Sequence, residues 1–220
     1  MFRPASSVRI RVAATVAALL LPAAASPAFV APDEAPLRLD LASALATQPA
    51  EPPPQAAAAP RFGEPGPWFL TLGGGAAFDF EDSTDGNLFV GFSTFLAREL
   101  EFQIELGAWY FNQPGDDTGG LSASLVARWH LLHADDFDWT VYLDAGIGVL
   151  GAFDETPPGG TSFNFLPRLG AGFTKAIDGT PARLQVGLRW HHISNARING
   201  DDNNPARNGL MVYAGVIFPF

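Results

Sequence analysis

The chain has 220 residues, a formal net charge of -10, 47% hydrophobic but only 16% charged residues, and no cysteine. The missing cysteine excludes disulfide scaffolds, thiolate-held metal centres and a thiol nucleophile. The acidic balance argues against a nucleic-acid partner, because phosphate binding needs a basic face.

The N-terminus reads as an export signal over residues 1–25. Arg3, Arg9 and Arg11 form a basic region, Val12 to Leu21 an apolar one, and Ala23-Ala24-Ala25 a small-residue cleavage site. Removing those three arginines takes the formal charge from -10 to -13. Residues 26–67 follow as a Pro/Ala-rich stretch, including Pro52-Pro53-Pro54, which cannot bury enough apolar surface to order itself and reads as a disordered, flexible tether. The folded domain is expected over 68–220.

No apolar run after residue 30 approaches the roughly 18 residues of a membrane-crossing helix, so the hydrophobicity must alternate. From Trp68 onward the period is two. Phe102, Ile104, Leu106, Ala108 and Tyr110 alternate with Glu101, Gln103, Glu105 and Gly107. Leu184, Val186, Leu188 and Trp190 alternate with Arg183, Gln185, Gly187 and Arg189, and the last segment repeats the pattern up to Phe220. Eight strands are expected, at 68–80, 87–97, 100–112, 121–132, 139–151, 163–176, 182–196 and 209–220. Each is about as long as, or longer than, the roughly 9–11 residues a tilted strand needs to cross a bilayer.

Connections alternate between long polar ones (81–86, 113–120, 152–162, 197–208) and mostly tighter ones (98–99, 133–138, 177–181). That alternation marks an eight-stranded antiparallel outer-membrane β-barrel, with short turns on the periplasmic side. The polar face carries Glu101, Glu105 and Asp144 against Arg128, Arg168, Arg183 and Arg189, charges that can pair inside a lumen and leave the apolar face to lipid. Trp68, Trp139 and Tyr110 fall near strand ends, where interfacial aromatics belong. Gly73-Gly74-Gly75 opens no helix and reads as close packing in the wall rather than a phosphate loop. His130 and His133 near Asp135, Asp136 and Asp138 read as a solvated turn ahead of a metal site.

The seventh strand ends Trp190-His191-His192-Ile193-Ser194-Asn195-Ala196. By parity His191 joins the lumen series, while His192 and Ser194 continue the apolar series toward lipid. Same-face neighbours two residues apart lie about 6.5–7 Å apart, close enough for a histidine to bend toward a serine hydroxyl. A serine nucleophile needs such a base, because its hydroxyl must shed a proton as it attacks. With both barrel ends in the periplasm, this strand finishes at the outer leaflet, where lipopolysaccharide is the main lipid.

The run His192-Ile193-Ser194-Asn195-Ala196, a polar loop with Asn204-Pro205 and a short last strand ending in an aromatic resemble the lipid A deacylase family, the PagL-type 3-O-deacylases of Gram-negative outer membranes. The resemblance implies that His192 is the general base and Ser194 the nucleophile. Aligning the family's Asn-x-Gly-x-Glu pattern on Asn204-Pro205-Ala206-Arg207-Asn208 puts Asn208 where the orienting Glu belongs. Asn208, or else Asp201 or Asp202 from the loop, is then left to orient the ring, an arrangement known from Cys-His-Asn sites but lacking a carboxylate's charge. The same analogy suggests Asn195 and Asn204 as oxyanion or substrate contacts.

The expected activity is hydrolysis of the 3-O-linked acyl chain of lipid A in the outer leaflet. It requires no metal and no cofactor, and a homodimer is left open. The other reading is a non-catalytic barrel with a structural or adhesive role, favoured by the missing Glu.

Overall fold

A computed structural model describes residues 61–79, 83–200 and 204–220. The expected export signal and nearly all of the expected tether lie outside the described residues, as do Asp201 and Asp202.

Nine strands form one antiparallel sheet: β1 (Trp68–Phe78), β2 (Thr84–Ala97), β3 (Leu100–Asn112), β4 (Thr118–His133), β5 (Trp139–Ala152), β6 (Phe163–Phe165), β7 (Arg168–Ala176), β8 (Arg183–Ile193) and β9 (Arg207–Pro219). Each pairs with its neighbour in the wall, β1 pairs with β9, and β4 with β5, so the sheet closes on itself with no free edge. The wall has eight strands because β6 and β7 are two parts of the expected sixth. The break falls at Leu166-Pro167, where proline lacks the N–H that a ladder needs. Leu166 still exchanges hydrogen bonds with Gly148, and Pro167 O accepts from His192 N–H at 3.0 Å, so the wall stays sealed across the break.

Three boundaries differ from expectation by three residues, and β9 begins two residues early, at Arg207. β2 and β4 each begin three residues early, at Thr84 and Thr118, because the lumen-facing polar groups at their ends read as loop in sequence. β8 stops at Ile193 instead of running to residue 196. The chain turns there, with Ala196 (φ 53°) and Arg197 (φ 63°) both left-handed.

Burial follows parity along the strands. Leu72, Leu88, Leu106, Leu121, Leu143 and Leu188 are exposed on the outside, while the alternate positions are buried. Trp68 and Tyr110 are exposed near strand ends, as interfacial aromatics require. The triglycine packs the wall closely: a Cβ at Gly75 would sit 2.6 Å from Val212 O and 2.9 Å from Tyr213 Cβ.

The lumen is filled by a charge network. Arg128 binds Glu101 at 3.0 Å and lies 3.6 Å from Asp144; Arg168 binds Glu105 at 2.6 Å; Arg189 binds Asp144 at 3.2 Å. Three carboxylates balance three guanidinium groups, and the Tyr142 and Tyr213 hydroxyls bridge the middle at 2.7 Å. His130 belongs to this network through Glu101 (3.1 Å) and Thr140 (2.8 Å), whereas His133 pairs with Glu99 at the turn. The two histidines therefore have separate partners, and among the described residues no group of three or more His, Cys, Asp or Glu could hold a metal ion.

The barrel's two ends meet at one rim, where Phe220 N–H donates to Trp68 O at 3.1 Å. Phe62 closes that mouth, buried edge-on against Phe69 (5.3 Å) and Phe95 (5.0 Å), with Arg183 over its ring at 4.0 Å. The connections after β1, β3, β5 and β8 share the opposite, outer rim, and of these only the ones after β5 and β8 are markedly longer than the connections at the Phe62 mouth.

Candidate active site

β8 and β9 run side by side to the outer rim, and their last rungs pair His191 with Gly209, His192 with Asn208, and Ile193 with Arg207. Alternation turns His191 inward, where its ring is buried and stacks on Trp109 at 5.5 Å. It turns His192 outward, as expected, half-buried beside Trp190, with ring centroids 5.9 Å apart and planes 28° from parallel. Asn208 is outward on the neighbouring strand, and His192 Nδ1 lies 2.9 Å from Asn208 Oδ1. Since a side-chain amide oxygen only accepts, Nδ1 carries a proton, and in the neutral ring the lone pair then falls on Nε2. That is the tautomer a general base requires.

Ser194 is placed differently from the sequence expectation. It does not share an open lipid-facing strand surface with His192: it lies one residue past the end of β8 and is only 8% exposed. Backbone bonds to Phe165 (2.8 and 3.3 Å) hold it against β6. Its hydroxyl donates to Asn204 Oδ1 at 3.0 Å, so the proton is directed at the loop amide and not at His192. Asn195 N–H donates to the same oxygen at 3.0 Å, and Ala196 N–H donates to Ser194 Oγ at 3.1 Å.

The turn after Ser194 is strained. Two consecutive non-glycine residues in the left-handed region cost on the order of 1–3 kcal/mol each, a kind of strain that concentrates at functional sites. Asn195 Oδ1 offsets part of this by accepting Arg197 N–H at 2.9 Å. The residues singled out in sequence therefore form two couples at one rim: His192 with Asn208, and Ser194 with Asn204 and the Asn195 backbone. Sequence reading missed Arg207, Asp85 and Gln113, which lie inside the wall at the same height. The signal for Arg207 was its parity with the lumen-facing Met211 and Tyr213; Asp85 was hidden because β2 was expected to start at residue 87.

Comparison with known proteins bears on the family and the fold of the barrel. The sequence matches the family model described as lipid A 3-O-deacylase (PagL) over residues 90–216, more than half of the chain. Among solved structures it is similar to the outer membrane enzyme PagL (TM-score 0.52, 22% identity, covering 69% of this chain and 99% of that one). It is similar also to Neisserial surface protein A (TM-score 0.52, 17% identity, 70% and 97% covered). A third is the N-terminal β-barrel domain of Pseudomonas aeruginosa OprF (TM-score 0.51, 16% identity, 70% and 97% covered). No curated protein matches the sequence. The closed eight-stranded wall, its apolar exterior and the match across β2 to β9 lead to one assignment: the chain belongs to the lipid A 3-O-deacylase (PagL) family of Gram-negative outer-membrane β-barrels.

Proposed function

We propose that this barrel is a serine esterase that removes the 3-O-linked acyl chain of lipid A in the outer leaflet. The observation that carries the reading is the bond from His192 Nδ1–H to Asn208 Oδ1 at 2.9 Å, which leaves Nε2 free as the base. Activation requires the Ser194 hydroxyl to leave Asn204 Oδ1 and turn to His192 Nε2. Nε2 takes the proton as Ser194 Oγ bonds to the ester carbonyl carbon. The tetrahedral intermediate then expels the sugar oxygen, which takes that proton from His192, and the acyl chain stays on Ser194. Water attacks the acyl carbon, giving a proton to His192, and Ser194 Oγ leaves with it. The fatty acid departs, and no redox step or cofactor enters the balance.

Asn195 and Asn204 supply the polar surroundings of the nucleophile. With Asn204 displaced by substrate, the Asn195 N–H that it now occupies becomes available to a developing oxyanion. Asn208 orients the ring but adds no negative charge opposite the imidazolium, so the chemistry is slower than a carboxylate would make it. Lipid A itself is the partner, reached from within the membrane.

The second reading, a non-catalytic barrel with a structural or adhesive role, rests on that uncharged Asn208. A serine-directed fluorophosphonate separates the two. Labelling of Ser194 in the folded barrel, lost in His192→Ala, supports the esterase; a folded barrel with an unreactive Ser194 supports the non-catalytic role.

A further inference from the structure

Behind the candidate site, inside the wall, lies a cluster of charged groups that the ester chemistry does not use. Arg207 directly precedes Asn208 in β9, so its side chain enters the lumen where Asn208 faces out. The guanidinium is buried and forked. Nη1 donates to Asp85 Oδ1 at 2.8 Å and Nη2 to Gln113 Oε1 at 2.8 Å, while Nε lies 3.8 Å from Asp79 Oδ2. His191 Nε2 is 3.5 Å from the other Asp85 oxygen. Gln113 in turn donates to Glu155 O at 3.0 Å. One side chain thus joins the start of β9 to β2 and to the connections after β1 and β3, and through Gln113 to the connection after β5.

Its position on the ladder gives this a consequence. Ile193–Arg207 is the last rung between β8 and β9, and His192–Asn208 is the rung beside it. Terminal rungs open first when nothing anchors them. Opening here would part Asn208 from His192 and leave the rest of the barrel closed.

We propose that Arg207 is a positioning residue for the His192–Asn208 pair. Its buried fork to Asp85 and Gln113 clamps the outer end of β9 and so holds the His192 ring in the Nδ1–H tautomer. The kinetic consequence rests on the esterase reading; the tautomer does not.

The test is nitrogen-15 NMR of histidine-labelled, full-length barrel refolded in detergent micelles. The sequence has 4 histidines, and the His192 signals are assigned by their loss in His192→Gln. The working variant is Arg207→Met with Asp85→Asn, which leaves neither charge buried alone, and its folding is checked by heat-modifiable gel migration. Wild type is expected to show His192 protonated at Nδ1. Asn208→Ala and the folded double variant are each expected to move it to the mixture of an unconstrained imidazole, and combining all three substitutions to add nothing. Deacylation kcat is expected to fall about tenfold in both, again without additivity, with KM within about twofold.

An unchanged His192 tautomer in the folded double variant overturns the proposal. Should that variant fail to fold, Gln113→Leu removes one arm of the fork, and an unchanged tautomer there overturns it equally. A tautomer shift in the double variant, together with folded wild type that leaves lipid A intact, supports the clamp and refutes the esterase. An active enzyme without the shift does the reverse.

Discussion

His192 Nδ1 and Asn208 Oδ1 lie 2.9 Å apart across the penultimate rung of the β8–β9 ladder, so a neutral amide holds the histidine's proton where an acid would also supply charge. Orientation and electrostatic support are therefore separable in this barrel, and one substitution probes each.

Asn208→Glu keeps an acceptor on the His192 ring and adds the missing charge. Charge-assisted hydrogen bonds are about twice as strong as neutral ones, and a gain of roughly 1.4 kcal/mol in the transition state is tenfold in rate. The site is exposed, which limits the gain, so kcat for deacylation should rise up to about tenfold. Asn208→Ala should lower it. Equal rates for all three, measured as free hydroxy fatty acid released, would show that the pair does not act in the reaction.

Glu105 is the hub of the inner network, accepting from Arg168 at 2.6 Å and Gln103 at 3.0 Å and lying 3.5 Å from Arg189. Glu105→Gln leaves two buried guanidinium groups sharing one carboxylate fewer, a loss on the order of 3–5 kcal/mol. The expected result is a lower urea midpoint in micelles at unchanged slope. A midpoint within error of wild type would mean that the lumen tolerates an unbalanced charge.

Leu188 sits near the middle of β8 on the outer face and is 52% exposed. Leu188→Arg should destabilise the barrel in bilayers by about 2–4 kcal/mol, the cost of a basic side chain near the hydrocarbon midplane. Folding titrations in vesicles measure it. No loss of stability there would contradict the assignment of the apolar face to lipid.

Much of this fold is legible because period-two alternation is a direct consequence of a wall with lipid outside and a packed lumen inside. Leu184 to Trp190 against Arg183 to Arg189 fixes both the strand and its facing. Strand ends are harder to read: Asp85 and Thr118 are polar because they face the lumen, and a polar residue at a strand end looks like loop. The split at Pro167 has a clear sequence signal in the proline itself, but the continuous alternation around it hides the break. In the site, parity turned His192 outward because it lies on regular ladder, whereas Asn208 came from the family pattern alone and was expected in the connection before β9, which in fact begins at Arg207. Parity misplaced Ser194, because the strand stops at Ile193 and the hydroxyl then answers to Asn204, a loop contact that no periodicity encodes. Arg207 escaped notice for a related reason, since its partners Asp85 and Gln113 come from β2 and the connection after β3, both distant in sequence.

The central claim is that Ser194 cleaves an ester of lipid A, and mass spectrometry of lipid A incubated with the detergent-purified barrel addresses it directly. The account predicts loss of one 3-O-linked hydroxyacyl chain with wild-type protein and intact lipid A with a folded Ser194→Ala variant. Lipid A left unchanged by folded wild type across several acylation patterns, or the same loss with Ser194→Ala, would contradict it.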